Sequence, residues 1–467
     1  MDDVAFSSLT ELALGLAQRR FTSAELTQVF LDRIARFDST AHSYIAVYGE
    51  SALLQAQAAD LQRQSGLPLP ALHGLPIGVK DLCEIAGRVT TAGSAAWKTR
   101  RSNMTSAVIE RLQAAGMILL GKTHTAEFAY SGWGVNPLLG TPRNPWDWSG
   151  KHRAPGGSSN GSAVAVAAGL APATIGTDTG GSVRIPAAFN GLTGLKTTYG
   201  LISAYGTFPL SVSLDSVGTL TRTARDAALL TQALAGFDAR DPSTHGRPQY
   251  AIDLAEGAPV RGLRIAVMPA AQYPWAVSDE VHAATEESVR VLRSLGATLE
   301  QAQVPLDFAE LARNTGTFIA TEVYRLHASY IEDASLPFGD ACRQRVLKGK
   351  SVTGEAFLAT IEHRQRTIAA FSDWMRSYDL LLTPTVPFVA PPLDEVDEEL
   401  TSPMTFTRAV NYLAACAISI PSGFSGTGLP IGLQLVAKPW QENLLLRTAD
   451  VYQQVTDWHR RTPPGLQ

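Results

Sequence analysis

What this chain lacks narrows its possible functions. It has only three cysteines, Cys83, Cys342 and Cys416, odd in number and far apart. That spacing argues against a disulfide frame or a cysteine zinc site and fits a reducing compartment. Its basic residues form no run, and a net charge of −4 supplies no broad positive field for nucleic acid or an anionic membrane. The expectation from charge is therefore a protein without a nucleic-acid or membrane partner. The most apolar stretch, SAVAVAAGLAPATIG over 162–176, is too short and interrupted to span a bilayer. The opening residues MDDVAFSSLTELALGLAQRR begin on acids and lack the basic start of a secretory signal. No internal repeat or low-complexity block is present. These absences point to a cytoplasmic protein, and a composition 45% hydrophobic and 18% charged can bury a large core.

The pattern of residues points to alternating helices and strands. Ser8 with Glu11 and Thr22 with Glu25 have capping-box spacing, and Leu26, Val29, Phe30, Ile34 and Phe37 follow at a helical period. Residues 1–65 therefore read as N-terminal helices. PIGVKDL reads as a short buried strand that delivers Lys80 at its end. Helices are expected at 105–116, 162–171 and 223–236. Strands are expected at 117–122, 172–178, 262–269, 378–387, 416–424 and 429–437. Such alternation predicts an α/β fold with helices on both faces of a sheet. The stretch 236–262 is the loosest, and 306–377 reads as a helical region that covers the site.

GMILLGKT (116–123) matches a phosphate-loop pattern letter by letter. Its four interior residues are Met117, Ile118, Leu119 and Leu120, which suit a buried strand and leave no N–H groups to face phosphate. The nucleotide reading is declined.

Two glycine–serine runs remain. GTDTGGSVRIP (176–186) presents Ser182 on bare backbone, and APGGSSNGSAVAVAAG (154–169) carries Ser158, Ser159 and Ser162. The glycines suit either a phosphate cradle or an oxyanion hole, and the upstream serines suit either a helix cap or a reactive site. No histidine has a partner placed by local spacing, whether His73, His124 or His152. Lys80, in an apolar setting, is either an amine reaching water or a desolvated base.

The segment GGSSNGSAVAVAAGLAPATIGTDTGGSVRIPA (156–187) closely resembles the signature of the amidase signature enzymes. LHGLPIGVKDL, GTPRNPWD, FNGLTGLKTTYGLIS and LPIGLQLVAKPWQE resemble further blocks of that family in family order. The resemblance implies one α/β/α sandwich domain around a large mixed β-sheet, with a catalytic core over 70–235. It implies Ser182 as nucleophile, Ser158 as a bridging serine after a cis peptide bond, and Lys80 as general base. Thr179, Gly180, Gly181 and Ser182 match the backbone oxyanion hole. Asp178 and Arg184 are expected to hold the loop by an ion pair. Asn160 stands where the family often has glycine, and Trp148 is an extra aromatic; both are expected to bear on substrate choice.

The implied activity is amide hydrolysis through an acyl-enzyme, with ester and carbamate bonds open to the same chemistry. No metal or organic cofactor is implied, and the expected partner is a small-molecule amide, with a homodimer as the family-like assembly. The block AEFAYSGWGVNPLLG (126–140) looks like a free-standing amidase. The alternative is the glutaminase subunit of a tRNA-dependent amidotransferase. Tyr130, Trp133 and Phe208, with Phe128 and Ser159, are the expected substrate-facing residues.

Overall fold

The computed structural model describes residues 2–248, 250–253, 260–398 and 400–466, so positions 249 and 254–259 of the loose stretch 236–262 lie outside the described residues. Eleven strands form one mixed sheet. They are β1 Tyr44–Val47, β2 Pro76–Lys80, β3 Ile118–Thr123, β4 Thr174–Asp178, β5 Thr193–Lys196 and β6 Ser216–Thr221, then β7 Arg264–Val267, β8 Thr298–Gln301, β9 Leu380–Pro384, β10 Cys416–Phe424 and β11 Pro430–Ala437. Their order is β1-β3-β2-β4-β6-β5-β10-β11-β9-β7-β8. Parallel pairing joins β3, β2 and β4 on one side and β9, β7 and β8 on the other. The strands between them are antiparallel. Helices pack on this sheet, as the alternation of patterns requires.

Both capping boxes form: Ser8 and Thr22 accept from the amides of Glu11 and Glu25, whose carboxylates reach back. The second helix, Ser23–Ala41, buries Leu26, Phe30, Ile34 and Phe37. GMILLGKT runs into β3 at Ile118, and every residue of that strand is buried. The region 306–377 contains helices Phe308–Ile331, Asp340–Leu347 and Gly354–Trp374. Its first two helices supply Ile319 and Arg345 to a cavity wall beside Ser182.

One sheet edge gathers the chemistry. β2 ends at Lys80, and β4 runs directly into the loop bearing Ser182. The short helix Asn160–Ala167 packs between them, with Ser162 bridging to β3 through Thr123 at 2.7 Å and to β4 through the Ile175 carbonyl at 3.1 Å.

Candidate active site

Lys80 and Asp81 are neighbours that face apart, as successive extended residues do. Asp81 pairs with Lys122 at 2.6 Å inside the protein. Lys80 instead donates to Ser158 Oγ at 2.7 Å and Thr177 Oγ1 at 2.9 Å. It is fully buried and, among the described residues, forms no ion pair. Burial pulls its pKa down to about 7, against the opposite pull of Asp178 and Asp215. An amine so placed can be neutral near neutral pH and accept a proton from a hydroxyl.

Ser158 lies just before the helix Asn160–Ala167, and the Gly157–Ser158 peptide bond is cis. The next serine takes another role. Ser159 donates its hydroxyl to the Thr177 carbonyl at 3.3 Å and its N–H to the Ser182 carbonyl at 3.2 Å. Its side chain is thus turned onto β4, which corrects the expectation that it faces substrate. Asn160 Nδ2 donates to the Gly134 carbonyl at 2.6 Å, tying this loop to the turn after Tyr130.

The Ser182 loop is shaped by Asp178. Its carboxylate accepts from the Gly181 and Val183 amides at 2.8 and 3.1 Å and from Arg184 at 2.9 and 3.0 Å. Burial would raise the Asp178 pKa, but Arg184 outweighs it and holds the group well below the usual carboxylate range. The expected supporting ion pair is present, with both side chains fully buried. It also redraws the expected donor set. The Gly181 N–H is committed to Asp178, which leaves the Thr179, Gly180 and Ser182 amides as candidate oxyanion donors. Gly181 has φ +124°, and a Cβ there would lie 2.1 Å from Thr407 Oγ1. Ser182 Oγ makes no hydrogen bond to Ser158 or Lys80 among the described residues. The pair and the loop are joined instead through the main chain at Ser159. Side-chain hydrogen bonds of this kind are often long in unliganded sites and tighten on substrate.

A cavity of about 540 Å³ opens on Ser182 and is lined by Tyr130, Trp133, Gly180 and Arg408 among others. Trp133 stacks on Phe388 at 5.6 Å. The other two aromatics depart from expectation. Phe208 faces a neighbouring cavity of about 460 Å³ that contains Asp215. Phe128 is buried against Phe208, with ring centres 5.0 Å apart. Trp148 packs on Phe37, away from the cavity, so it does not bear on substrate choice directly. Sequence reasoning did not single out Thr177, Asp215, Arg345, Glu398 or Arg408. Thr177 sits inside the signature segment, whereas Arg345, Glu398 and Arg408 reach the cavity from 163 to 226 positions further along the chain than Ser182, with no motif around them.

The model of the family described as Amidase matches residues 25–446. The chain belongs to the Amidase family. Membership makes it a hydrolase acting on C–N bonds. It is 36% identical over 491 aligned residues to a glutamyl-tRNA(Gln) amidotransferase subunit of Chloroflexus aggregans, covering 99% of each chain. The structure of the same subunit from Thermotoga maritima has a TM-score of 0.81 at 29% identity, covering 97% of this chain and 96% of that one. The native peptide amidase of Stenotrophomonas maltophilia has a TM-score of 0.87 at 29% identity, covering 100% of both.

These relatives correct the expectation about partners. Two further relatives, both 38% identical, carry the same glutamyl-tRNA(Gln) amidotransferase name, which includes a tRNA and marks one component of an assembly. The scattered charge of this Amidase family member therefore does not exclude a nucleic-acid partner: one component can serve such an assembly without a basic field of its own. Among the described residues, no helix is long and apolar enough to cross a membrane, and no cluster of three or more His, Cys, Asp or Glu is arranged to hold a metal.

Proposed function

We propose that Lys80, Ser158 and Ser182 act as base, relay and nucleophile in carboxamide hydrolysis, and that the amide opened is the side chain of glutamine, within a tRNA-dependent amidotransferase. The buried Lys80 amine at 2.7 Å from Ser158 Oγ carries the chemical part of this reading. The amidotransferase relatives, aligned over almost their full length, support the glutaminase reading over the free-standing one suggested by residues 126–140. The three cysteines are buried and unpaired, in keeping with a cytoplasmic setting.

In this account, neutral Lys80 takes a proton from Ser158 as Ser158 takes one from Ser182 Oγ, which bonds to the amide carbon. The negative charge forming on the carbonyl oxygen is met by the Thr179, Gly180 and Ser182 amides. Collapse breaks the C–N bond, and the proton returns through Ser158 to the leaving nitrogen, releasing ammonia. Water then attacks the acyl-serine ester, passes a proton back along the same path and frees the acid and Ser182.

A second reading, amide hydrolysis by the chain alone, is favoured by the likeness to the peptide amidase over the whole of both chains. Glutamine, aliphatic amides, aryl amides and an anilide should be offered to the chain alone and to the chain recovered from its own cells with any companions, using Ser182→Ala as control. Glutamine turnover that depends on companions supports the amidotransferase reading. Turnover of simple amides by the chain alone, with glutamine a poor substrate, transfers the assignment to the second reading.

A further inference from the structure

The loop leading to Ser182 is clamped peptide by peptide, and one peptide is held differently from its neighbours. The Asp178 carbonyl accepts from Asn411 Nδ2 at 3.1 Å, which fixes the trans peptide whose other end is the Thr179 N–H. The Gly180 carbonyl accepts from Thr407 Oγ1 at 2.8 Å, and the Gly181 N–H donates to Asp178 at 2.8 Å. The Thr179–Gly180 peptide between them makes no hydrogen bond of its own among the described residues. It carries the Gly180 N–H, a candidate oxyanion donor. Its anchor is a side chain: Thr179 Oγ1 donates to Asp215 Oδ1 at 2.5 Å.

Asp215 precedes β6, and the pairing of Asp178 with Ser216 brings it beside Thr179. Its second oxygen accepts from the Leu210 and Ser211 amides at 2.9 and 3.1 Å. Leu210 lines both the Ser182 cavity and its neighbour, so one half-buried carboxylate ties the nucleophile loop to the wall between them. Its charged surroundings leave it unpaired among the described residues. Glu322 takes the Ser211 and Ser213 hydroxyls, and Arg364 donates to the Ser213 carbonyl at 3.4 Å. Across the cavity, Arg240 is paired with Asp238 and Glu110, Asp241 accepts from the Ala204 amide, and Tyr199 donates to the Val212 carbonyl.

The same carboxylate bears on the base. Thr177, which holds the Lys80 amine, lines the cavity that contains Asp215. Burial lowers the Lys80 pKa, and Asp178 and Asp215 oppose it, with the Cys83 thiol a smaller influence. Asp178 is already neutralised by Arg184, which leaves Asp215 as the unpaired anion. Burial pushes the Asp215 pKa up to about 6, so it carries its charge where Lys80 becomes neutral.

We infer that Asp215 is a positioning residue for this reaction: its carboxylate fixes Thr179, and through it the peptide bearing the Gly180 N–H, and its charge faces the ammonium that forms on Lys80 when the serine proton arrives. Asp215 takes up no proton itself. The inference rests on the reading of Lys80 as base and Ser182 as nucleophile, and it names what holds the one oxyanion peptide that the main chain leaves free.

The test measures acylation by para-nitrophenyl acetate, as the initial burst of nitrophenolate, across pH in the unaltered chain and in Asp215→Asn, Thr179→Val and Thr179→Ser. An asparagine that still accepts from Thr179 turns its NH2 onto the Leu210 and Ser211 amides, so the tie is lost on one side. The acylation rate is expected to fall by about 30-fold in Asp215→Asn and Thr179→Val, with the half-saturating ester concentration within about threefold. Thr179→Ser, which keeps the hydroxyl, should recover most of the Thr179→Val loss. The midpoint of the rising pH profile should move down by about half a pH unit or more in Asp215→Asn and stay in place in Thr179→Val, which removes no charge. Acylation by Asp215→Asn at the unaltered rate, or a fall in rate with an unmoved midpoint, overturns the inference. If Asp215→Asn does not fold, Thr179→Val at the unaltered rate overturns it equally. Acylation that survives in Ser182→Ala overturns the nucleophile reading instead, so the two failures are distinct.

Discussion

The Lys80 amine gives the account a quantitative handle. The perturbation is pH, and the prediction follows from burial that brings this group from 10.5 down to about 7. Only the neutral amine can accept the serine proton, so kcat/KM should follow the neutral fraction. For a group at about 7 that fraction is about 0.09 at pH 6 and about 0.9 at pH 8, a rise of about tenfold that levels off above pH 8. An unshifted lysine gives a rise of about 100-fold over the same interval and no plateau below pH 10. The assay is initial-rate ammonia release at saturating and limiting amide across about pH 5.5–10. A flat profile from pH 6 to 9, or a rate still climbing tenfold per unit at pH 9, refutes the neutral-lysine base. Stability gives an independent reading. Between about 7 and 10.5 the unfolded chain holds a proton on Lys80 that the native chain does not, so stability should rise with pH across that window and be penalised below it. The full difference is about 5 kcal/mol, and Lys80→Met should abolish its contribution to the slope.

The remaining predictions concern the scaffold around the nucleophile. Arg184→Met leaves the Asp178 carboxylate buried without its cation, and should cost about 3–5 kcal/mol in urea unfolding. Gly181→Ala places a methyl group 2.1 Å from Thr407 Oγ1 at φ +124°, so activity should drop by about 100-fold or more even if the chain folds. Unaltered kcat in that variant shows that the loop geometry does not matter for turnover. Trp133→Ala removes a buried ring stacked on Phe388, and should cost about 3–5 kcal/mol as well as altering the preference among acyl groups. Full stability in that variant means that the ring serves the cavity alone.

The capping boxes were readable because their chemistry is local: Ser8 and Thr22 need only residues three positions away. β10 and β11 were equally readable as apolar runs, CAISIPSGF and PIGLQLVA, bounded by turn residues. β5 and β6, TGLK and SVGTLT, were not identified as strands from pattern, although every residue in them is buried. Their cover explains this. A Cβ on Gly194 would lie 2.6 Å from the Ala187 Cβ, and one on Gly218 would lie 2.3 Å from the Leu195 carbonyl oxygen. Strands packed so closely are built from small residues and carry no apolar periodicity. Around the site, the segment 156–187 brought Ser158 and Ser182 into view, and PIGVKDL brought Lys80. The division between Ser158 and Ser159 lies in side-chain direction, which the repeated serines do not display. Phe208 and Tyr130 are similarly indistinguishable by residue type, yet they face different cavities because separate loops carry them. Arg408 comes to the cavity only through folding, since no motif surrounds it in the chain.

The most direct test of the central claim is to catch the acyl-enzyme. The chain should be mixed with an activated ester or a slowly released anilide, quenched in acid within the first turnovers, and weighed intact before peptide mapping. The account predicts one acyl group per chain, located on Ser182, absent from Ser182→Ala and formed far more slowly in Lys80→Ala. An adduct on another residue, or full amide turnover by Ser182→Ala, contradicts it.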